Sequence, residues 1–323
     1  QAIALAEKYA QSDKTPAIED SEWSIICASH NGQPVHSAAV SQLLKKFDLA
    51  PDRLSCGAHW SIERNTMVEQ VQSLKAPGRI HNNCSGKHVG MLVLASLLGV
   101  PSKGRLMEKT FAWFGAHGIM LSRSGSEREY AAEVHGIDGL ELVLLSAGEI
   151  PRELQAGRIH LGVTGTDLIR EKLVNWEQRV EPLVELGFGH ADLIIAVPDC
   201  WVDVETVDDL DGAAAAFRQT HEFRLRIATK YHRLVREFLR GAGVADYRLV
   251  DSQGATEGTI KHQTAEAIAD ITSSGETLRA NHLRILQDGL VLKSQATLFR
   301  ARGELLNSQR AEVLEALKAR LQL

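Results

Sequence analysis

The rhythm of apolar positions along the chain changes near residue 100. Before that point, helical spacing predicts helices at about 1–11, 37–46, 63–73 and 87–98, and Trp23-Ser-Ile-Ile-Cys27 is the single run that reads as a strand. From Pro101 onward, short apolar runs alternate with helical patterns. Leu142–Leu145, His160–Val163, Leu193–Val197, Leu225–Ala228 and Tyr247–Val250 are predicted strands, with helices at about 105–115, 167–179 and 231–240. Near-continuous apolar strands alternating with helices predict an α/β sheet covered on both faces. The acidic then alanine-rich stretch Asp208–Phe217 is predicted to be a loop entering a helix.

One strand-to-helix junction carries candidate chemistry. Ala265-Glu-Ala-Ile-Ala269 is apolar enough for a short buried strand, and Leu278–Leu286 has helical spacing. Between them lies Asp270-Ile-Thr-Ser-Ser-Gly-Glu-Thr277, a bend of small hydroxylated residues. Such a bend offers unpaired backbone N–H groups and the positive end of a helix to an anion. Asp270, at the strand's end, is placed to accept hydrogen bonds from sugar hydroxyls. Together these features suggest a ribose-phosphate site. Ser/Thr/Gly-rich turns also serve plain helix capping, and the residues alone leave both readings open.

Composition narrows the class. At 323 residues and 35.4 kDa, with 44% hydrophobic residues, the chain is expected to hold about two domains with sizeable cores. A net charge of −5 gives no electrostatic case for nucleic acid or an acidic membrane surface. No run approaches the ~20 apolar residues of a membrane span. Gln1–Ala10 lacks a basic region followed by an apolar stretch, and Cys27, Cys56, Cys84 and Cys200 are widely spaced, so a reduced, cytoplasmic setting is expected. Cys200 reads as a small buried hydrophobe.

Several phrases after residue 100 agree with one another: Pro101-Ser-Lys-Gly-Arg-Leu106, Leu145-Ser-Ala-Gly-Glu-Ile-Pro151, Leu161-Gly-Val-Thr-Gly-Thr-Asp-Leu168, Leu225-Arg-Ile-Ala-Thr-Lys-Tyr231, Val250-Asp-Ser-Gln-Gly-Ala-Thr-Glu257 and the bend at Asp270. In this order they resemble the short form of ATP phosphoribosyltransferase over about 101–323. The resemblance implies a two-lobed, periplasmic-binding-protein-like α/β fold, with lobe I at about 101–195 and 293–323, lobe II at about 196–292, and substrates in the cleft. It implies condensation of ATP with 5-phosphoribosyl 1-pyrophosphate, with Mg2+, at the head of histidine biosynthesis. On that likeness Thr272, Ser273, Ser274, Gly275 and Thr277 hold the sugar 5′-phosphate and Asp270 the ribose hydroxyls. Arg105 and Arg128 face the pyrophosphate and nucleotide phosphates, Glu257 lies near Mg2+ or the ribose, and Lys103 and Lys230 add positive charge. A homodimer working with a histidyl-tRNA-synthetase-like regulatory subunit is the implied assembly. Two positions depart from the family pattern: Glu276 within the bend, and Gly258-Thr-Ile-Lys261 after Glu257.

Residues 1 to about 100 resemble a different family. Cys27-Ala-Ser-His30, Cys56-Gly-Ala-His-Trp60 and Asn82-Asn-Cys-Ser-Gly-Lys-His-Val-Gly-Met-Leu92 look like an internal piece of asparaginase II, a serine–lysine hydrolase with bound zinc and an α/β hydrolase-like fold. There Ser29 matches an active-site serine, and Cys84 and Lys87 match two zinc ligands. The remaining ligand and the Ser-x-x-Lys nucleophile motif fall outside the matched piece, so an empty zinc remnant is expected. An asparagine amidohydrolase, or a phosphoribosyl-binding module without turnover, are the alternative functions. The seam lies within Ser96-Leu-Leu-Gly-Val-Pro101, where the hydrolase likeness ends a helix and the transferase likeness needs a strand.

Overall fold

The computed structural model describes residues 18–323 apart from 48, 55, 74–75, 95, 124–131, 253, 255 and 303–307. The first region holds α1 (Asp20–Cys27), α2 (Pro34–Lys46), α3 (Arg64–Gln72) and α4 (Ser85–Leu94). There follow β1 (Ser96–Pro101), α5 (Gly104–Ala116), β2 (Met120–Arg123), β3 (Ala132–His135), β4 (Leu140–Leu145), α6 (Ile150–Gln155), β5 (Leu161–Gly165), α7 (Thr166–Lys172), α8 (Trp176–Arg179) and β6 (Val180–Glu185). The remainder comprises β7 (Asp192–Pro198), α9 (Val207–His221), β8 (Leu225–Thr229), α10 (His232–Gly241), β9 (Tyr247–Asp251), α11 (Gly258–Lys261), β10 (Ala267–Thr272), α12 (Glu276–Ala280), β11 (Leu283–Leu292), β12 (Ala296–Ala301) and α13 (Ser308–Leu321).

Contacts divide the chain into two compact units. One is Gln1–Val163 with Glu177–Val184 and Leu298–Leu323; the other is Thr164–Trp176 with Glu185–Thr297. The α/β class expected from the sequence is present. The first unit is built on a sheet of order β4-β1-β5-β12-β6. Its seam strand β1 is interior, pairing in parallel with β4 along its whole length and with β5 through Leu98 and Gly99. All six residues of β1 are buried. Leu98 and Val100 are fully so. The seam is therefore a strand, which corrects the helix predicted through residue 98.

A second correction lies upstream. Trp23–Cys27 is the end of helix α1 and not a strand. The reason is local: Glu19 and Glu22 form a reciprocal cap, with the Glu19 N–H donating to Glu22 Oε2 at 2.8 Å. Ile25 and Ile26 then pack on α4, where Gly86 and Gly90 admit them. A β-carbon at Gly86 would stand 2.1 Å from the Ile25 carbonyl oxygen, and one at Gly90 2.4 Å from Ile26 Cγ2. The helix predicted at about 1–11 lies outside the described residues.

The second unit carries the sheet β11-β7-β10-β8-β9, in which β8 runs parallel to both β9 and β10. Strand β7 shows why it is covered on both faces. Leu193, Ile195 and Val197 join one buried cluster with α9 and α10, while Ile194 and Ala196 join another with Leu278 and Leu283. That is a period of two with both phases apolar. Helix α10 puts Leu234, Val235 and Leu239 inside and its arginines outside. Asp208 and Asp209 already form the first turn of α9, capped by Thr206, so the expected loop is helix from Val207. The pattern predicted at 167–179 is split into α7 and α8. Leu283–Leu286 is strand, not helix: β11 pairs antiparallel with β7 through Leu283, Arg284 and Ile285. Cys200 is exposed, in the turn that leaves β7, which corrects its expected burial.

Candidate active site

In the second unit the candidate residues converge at the carboxyl ends of parallel strands. Ile268 of β10 is opposite Ala228 of β8, so Asp270 and Lys230, each two residues further on, are neighbours. Lys230 Nζ lies 3.2 Å from Asp270 Oδ1, with the lysine half exposed and the carboxylate largely covered. The other carboxylate oxygen accepts the hydroxyl proton of buried Thr256, and Oδ1 also accepts the Ile271 N–H at 2.8 Å. Asp270 is thus held in one orientation with lone pairs to spare.

The bend follows immediately. Gly275 has φ 71°, a conformation that a side chain disfavours, and its N–H donates to Thr272 Oγ1 at 3.0 Å. Ser273, Ser274 and Thr277 are exposed. Helix α12 spans five residues, so its dipole is small and the charge for an anion comes from side chains. Arg279 supplies one such charge: its guanidinium donates to the Ser274 carbonyl at 3.0 Å, beside the bend. Sequence reading missed Arg279 and Thr256. The four-residue spacing from Gly275, which returns Arg279 to the helix start, was the available signal. Glu276, the departure within the bend, is exposed to solvent.

Behind this site a buried network ties α7 to α10. Tyr231 donates its hydroxyl to Asp167 Oδ2 at 2.7 Å, and Ser294 Oγ donates to Asp167 Oδ1 at 2.6 Å. Burial first, and the Asp167 charge second, push the Tyr231 hydroxyl far above its ordinary range, so it remains a donor. Tyr231 directly follows Lys230, whose ammonium stands 5.6 Å from the Tyr231 ring centre. Glu257, beside Thr256, is half-buried and makes no capping hydrogen bond to α11.

In the first unit, Lys103 and Arg105 follow the carboxyl end of β1, both exposed. Gly104, at φ 73°, turns the chain into α5. Ligands of α/β sheets characteristically bind at such strand ends. Arg128 lies outside the described residues. Nearer the N-terminus, Lys87 Nζ donates to Ser29 Oγ at 2.7 Å, so two residues with separate implied roles meet. Cys84 is half-buried, its N–H donating to Asn82 Oδ1 at 3.0 Å. Among the described residues no group of three or more His, Cys, Asp or Glu gathers to hold a metal ion.

His30 packs beside this pair of residues in a defined tautomer. The Gly32 N–H donates to its Nδ1 at 3.1 Å, leaving Nε2 to donate to Ser85 Oγ at 2.8 Å. Burial, then the nearby His36 and His81, lower its pKa below the usual 6.5. A lowered histidine pKa means the folded state favours the neutral ring. Its stabilising contribution is present above the unfolded value of 6.5 and is lost as pH falls from there through the folded value. Hydrogen-exchange protection over 20–94, corrected for intrinsic rate, is expected to drop between pH 7.5 and 5.5. A His30→Gln variant should reduce that dependence, buried His88 supplying the remainder, and an unchanged pH response in the variant would refute the assignment to His30.

Comparison with known proteins gives two family matches. The family model for ATP phosphoribosyltransferase matches residues 146–322, and that for L-asparaginase II matches residues 1–110. The ATP phosphoribosyltransferase of Cereibacter sphaeroides is 74% identical over 205 residues, covering 64% of this chain and 87% of that protein. The one from Brucella suis is 48% identical over 227 residues, covering 70% of this chain and 98% of that protein. Among solved structures, the ATP phosphoribosyl transferase (HisG:HisZ) complex from Thermotoga maritima matches with TM-score 0.52 at 22% identity, over 70% of this chain and 97% of that one.

Proposed function

The chain belongs to the ATP phosphoribosyltransferase family, and from that premise we propose that it joins ATP to 5-phosphoribosyl 1-pyrophosphate, forming N1-(5-phosphoribosyl)-ATP and pyrophosphate at the start of histidine biosynthesis. The observation that carries the site assignment is Asp270, oriented by Lys230 and Thr256 at the start of a hydroxyl-lined bend. In this reading the 5′-phosphate rests on the N–H groups and hydroxyls of Thr272, Ser273, Ser274, Gly275 and Thr277, and Arg279 adds charge. Asp270 accepts the ribose hydroxyls and fixes the ring. Adenine N1 forms its bond to the anomeric carbon as the bond to pyrophosphate breaks, the electron pair leaving with pyrophosphate. The anomeric centre acquires oxocarbenium character, so positioning and charge account for most of the catalysis. Arg105 is assigned to the departing pyrophosphate, where a guanidinium fork matches phosphate oxygens. Arg128 and Lys103 are assigned to the nucleotide phosphates and Glu257 to the ribose side.

The protein donors described do not fit a resident magnesium ion: Asp270 is engaged by Lys230 and Thr256, and no donor cluster gathers among the described residues. In this proposal Mg2+ arrives on the substrates' phosphates, its usual mode in such enzymes. The proposed catalytic region begins at about residue 101, behind an asparaginase-like segment, and works as a homodimer with a regulatory subunit. The Thermotoga protein was solved as a two-component complex. No described helix is long and apolar enough to cross a membrane; a cytoplasmic setting belongs to this same reading.

Mixing the chain with both substrates and Mg2+, with and without the regulatory subunit, is expected to give an absorbance rise from product. Arg105→Ala should reduce that rate by roughly a hundredfold, the size of one lost charge contact in a transition state. Absence of product under every condition would overturn the assignment. A second reading, amide hydrolysis, is favoured by the Ser29–Lys87 contact at 2.7 Å. Ammonia release from asparagine that is abolished in Ser29→Ala would support it.

A further inference from the structure

The second unit carries another concentration of positive charge, at the opposite ends of its strands. Strand β9 is an edge of the sheet, with Tyr247 opposite Leu225 and Asp251 opposite Thr229. Lys230 follows the carboxyl end of β8 and Arg224 precedes its amino end, which at about 3.3 Å per residue separates them by roughly 20 Å. At the amino end a groove of about 500 Å³ is lined by Arg224, Arg236, Arg240 and Arg248, with Tyr247 and Leu249. That size lies within the range of small-molecule sites.

The pairing of neighbouring arginines makes this groove distinctive. The guanidinium of Arg233, on the same helix, pairs with Glu237 and donates to the Glu171 main-chain carbonyl, and that of Arg226, on β8, pairs with Glu266. By contrast Arg236, Arg240 and Arg248 form no ion pair with a described residue. Arg224 reaches Asp246 only at 3.8 Å, and that carboxylate already binds Arg218. Arg236 and Arg240 lie one turn apart on α10 and share a face. Both bear on the Tyr247 hydroxyl, whose pKa burial raises while their charges pull it down. A solvated helix face of ordinary design would alternate acids with these arginines, as Arg233 and Glu237 do. In a chain of net charge −5, four guanidiniums around one half-buried ring repel one another unless a counter-charge joins them.

We propose that this groove is a second anion site, taking a small molecule that bears a polyphosphate, with guanidinium forks on phosphate oxygens and the Tyr247 ring as an apolar wall. It is separate from the bend that follows Asp270 and needs no residue of the transferase chemistry.

Inorganic tripolyphosphate is the probe, and hydrogen exchange on the full chain reads where it binds. Protection is expected over 236–249, separately from any protection over 272–277. In Arg236→Gln/Arg240→Gln the 236–249 protection should vanish or need at least tenfold more tripolyphosphate. Glutamine preserves helix propensity, and an unchanged melting temperature verifies that the fold is kept. Protection confined to 272–277, or 236–249 protection that survives in the double variant, would overturn the proposal. So would protection of 236–249 by hexaglutamate peptide and not by tripolyphosphate, since that outcome assigns the groove to an acidic protein partner. Failure of the transferase reading appears elsewhere, as missing protection at 272–277.

Discussion

Replacing Asp270 with asparagine is expected to lower kcat/KM for 5-phosphoribosyl 1-pyrophosphate by roughly a hundredfold. Two hydroxyl-to-carboxylate hydrogen bonds, each about 1.5–3 kcal/mol, become neutral ones, and about 3 kcal/mol of transition-state binding is lost. Asparagine keeps the shape, but its one amide oxygen can accept from Thr256 or from the Ile271 N–H and not from both, so an unchanged melting temperature is the control for the strand end. The ion pair with half-exposed Lys230 is a minor part of the loss, because solvent screens such pairs. Lys230→Gln is therefore expected to cost less than Asp270→Asn. Steady-state kinetics with each substrate varied in turn gives the check. An Asp270→Asn enzyme within threefold of wild type would remove the carboxylate from the ribose-binding role.

The second large effect concerns stability. Leu98→Ala is expected to cost about 3 kcal/mol, within the 2–5 kcal/mol usual for emptying a filled core position. Leu98 is fully buried in β1, between β4 and β5, and paired with Leu142 and Leu161. The urea midpoint of the cooperative transition should fall, with its slope unchanged. A shift corresponding to less than about 1 kcal/mol would mean that Leu98 does not sit inside a filled sheet. It would also make the seam peripheral to the transferase fold, contrary to the register of β1. The adjacent Gly99 bears on the same point, since a β-carbon there would meet Ile159 Cδ1 at 2.5 Å.

Much of the candidate site was legible from letters alone because its elements are local. A bend of hydroxylated residues after an apolar strand announces itself within ten positions, and Asp270 to Thr277 form that bend. The Arg105 turn likewise depends on Gly104 and the strand before it. What escaped was set by distance along the chain. Thr256 reaches Asp270 across fourteen positions, and Tyr231 reaches Asp167 across sixty-four. No periodicity encodes either contact. Arg279 was overlooked because a helix was expected to run through Leu286, which made it one polar residue among several on a long face.

By itself the sequence determined the α/β class, the likeness of its two parts to two different family models, and the strands whose apolar runs are covered on both faces, because those properties follow from hydrophobic period and contiguous phrases. Tertiary structure alone decided the ambiguous runs. Ser96–Pro101 is a strand because β4 and β5 lie on either side with backbone groups to pair. Trp23–Cys27 is a helix because Gly86 and Gly90 open a groove for Ile25 and Ile26. Leu283–Leu286 is a strand because β7 offers a free edge to it. A short apolar segment satisfies helix and sheet about equally well by its own pattern, so the neighbour that buries it and completes its hydrogen bonds settles which it becomes.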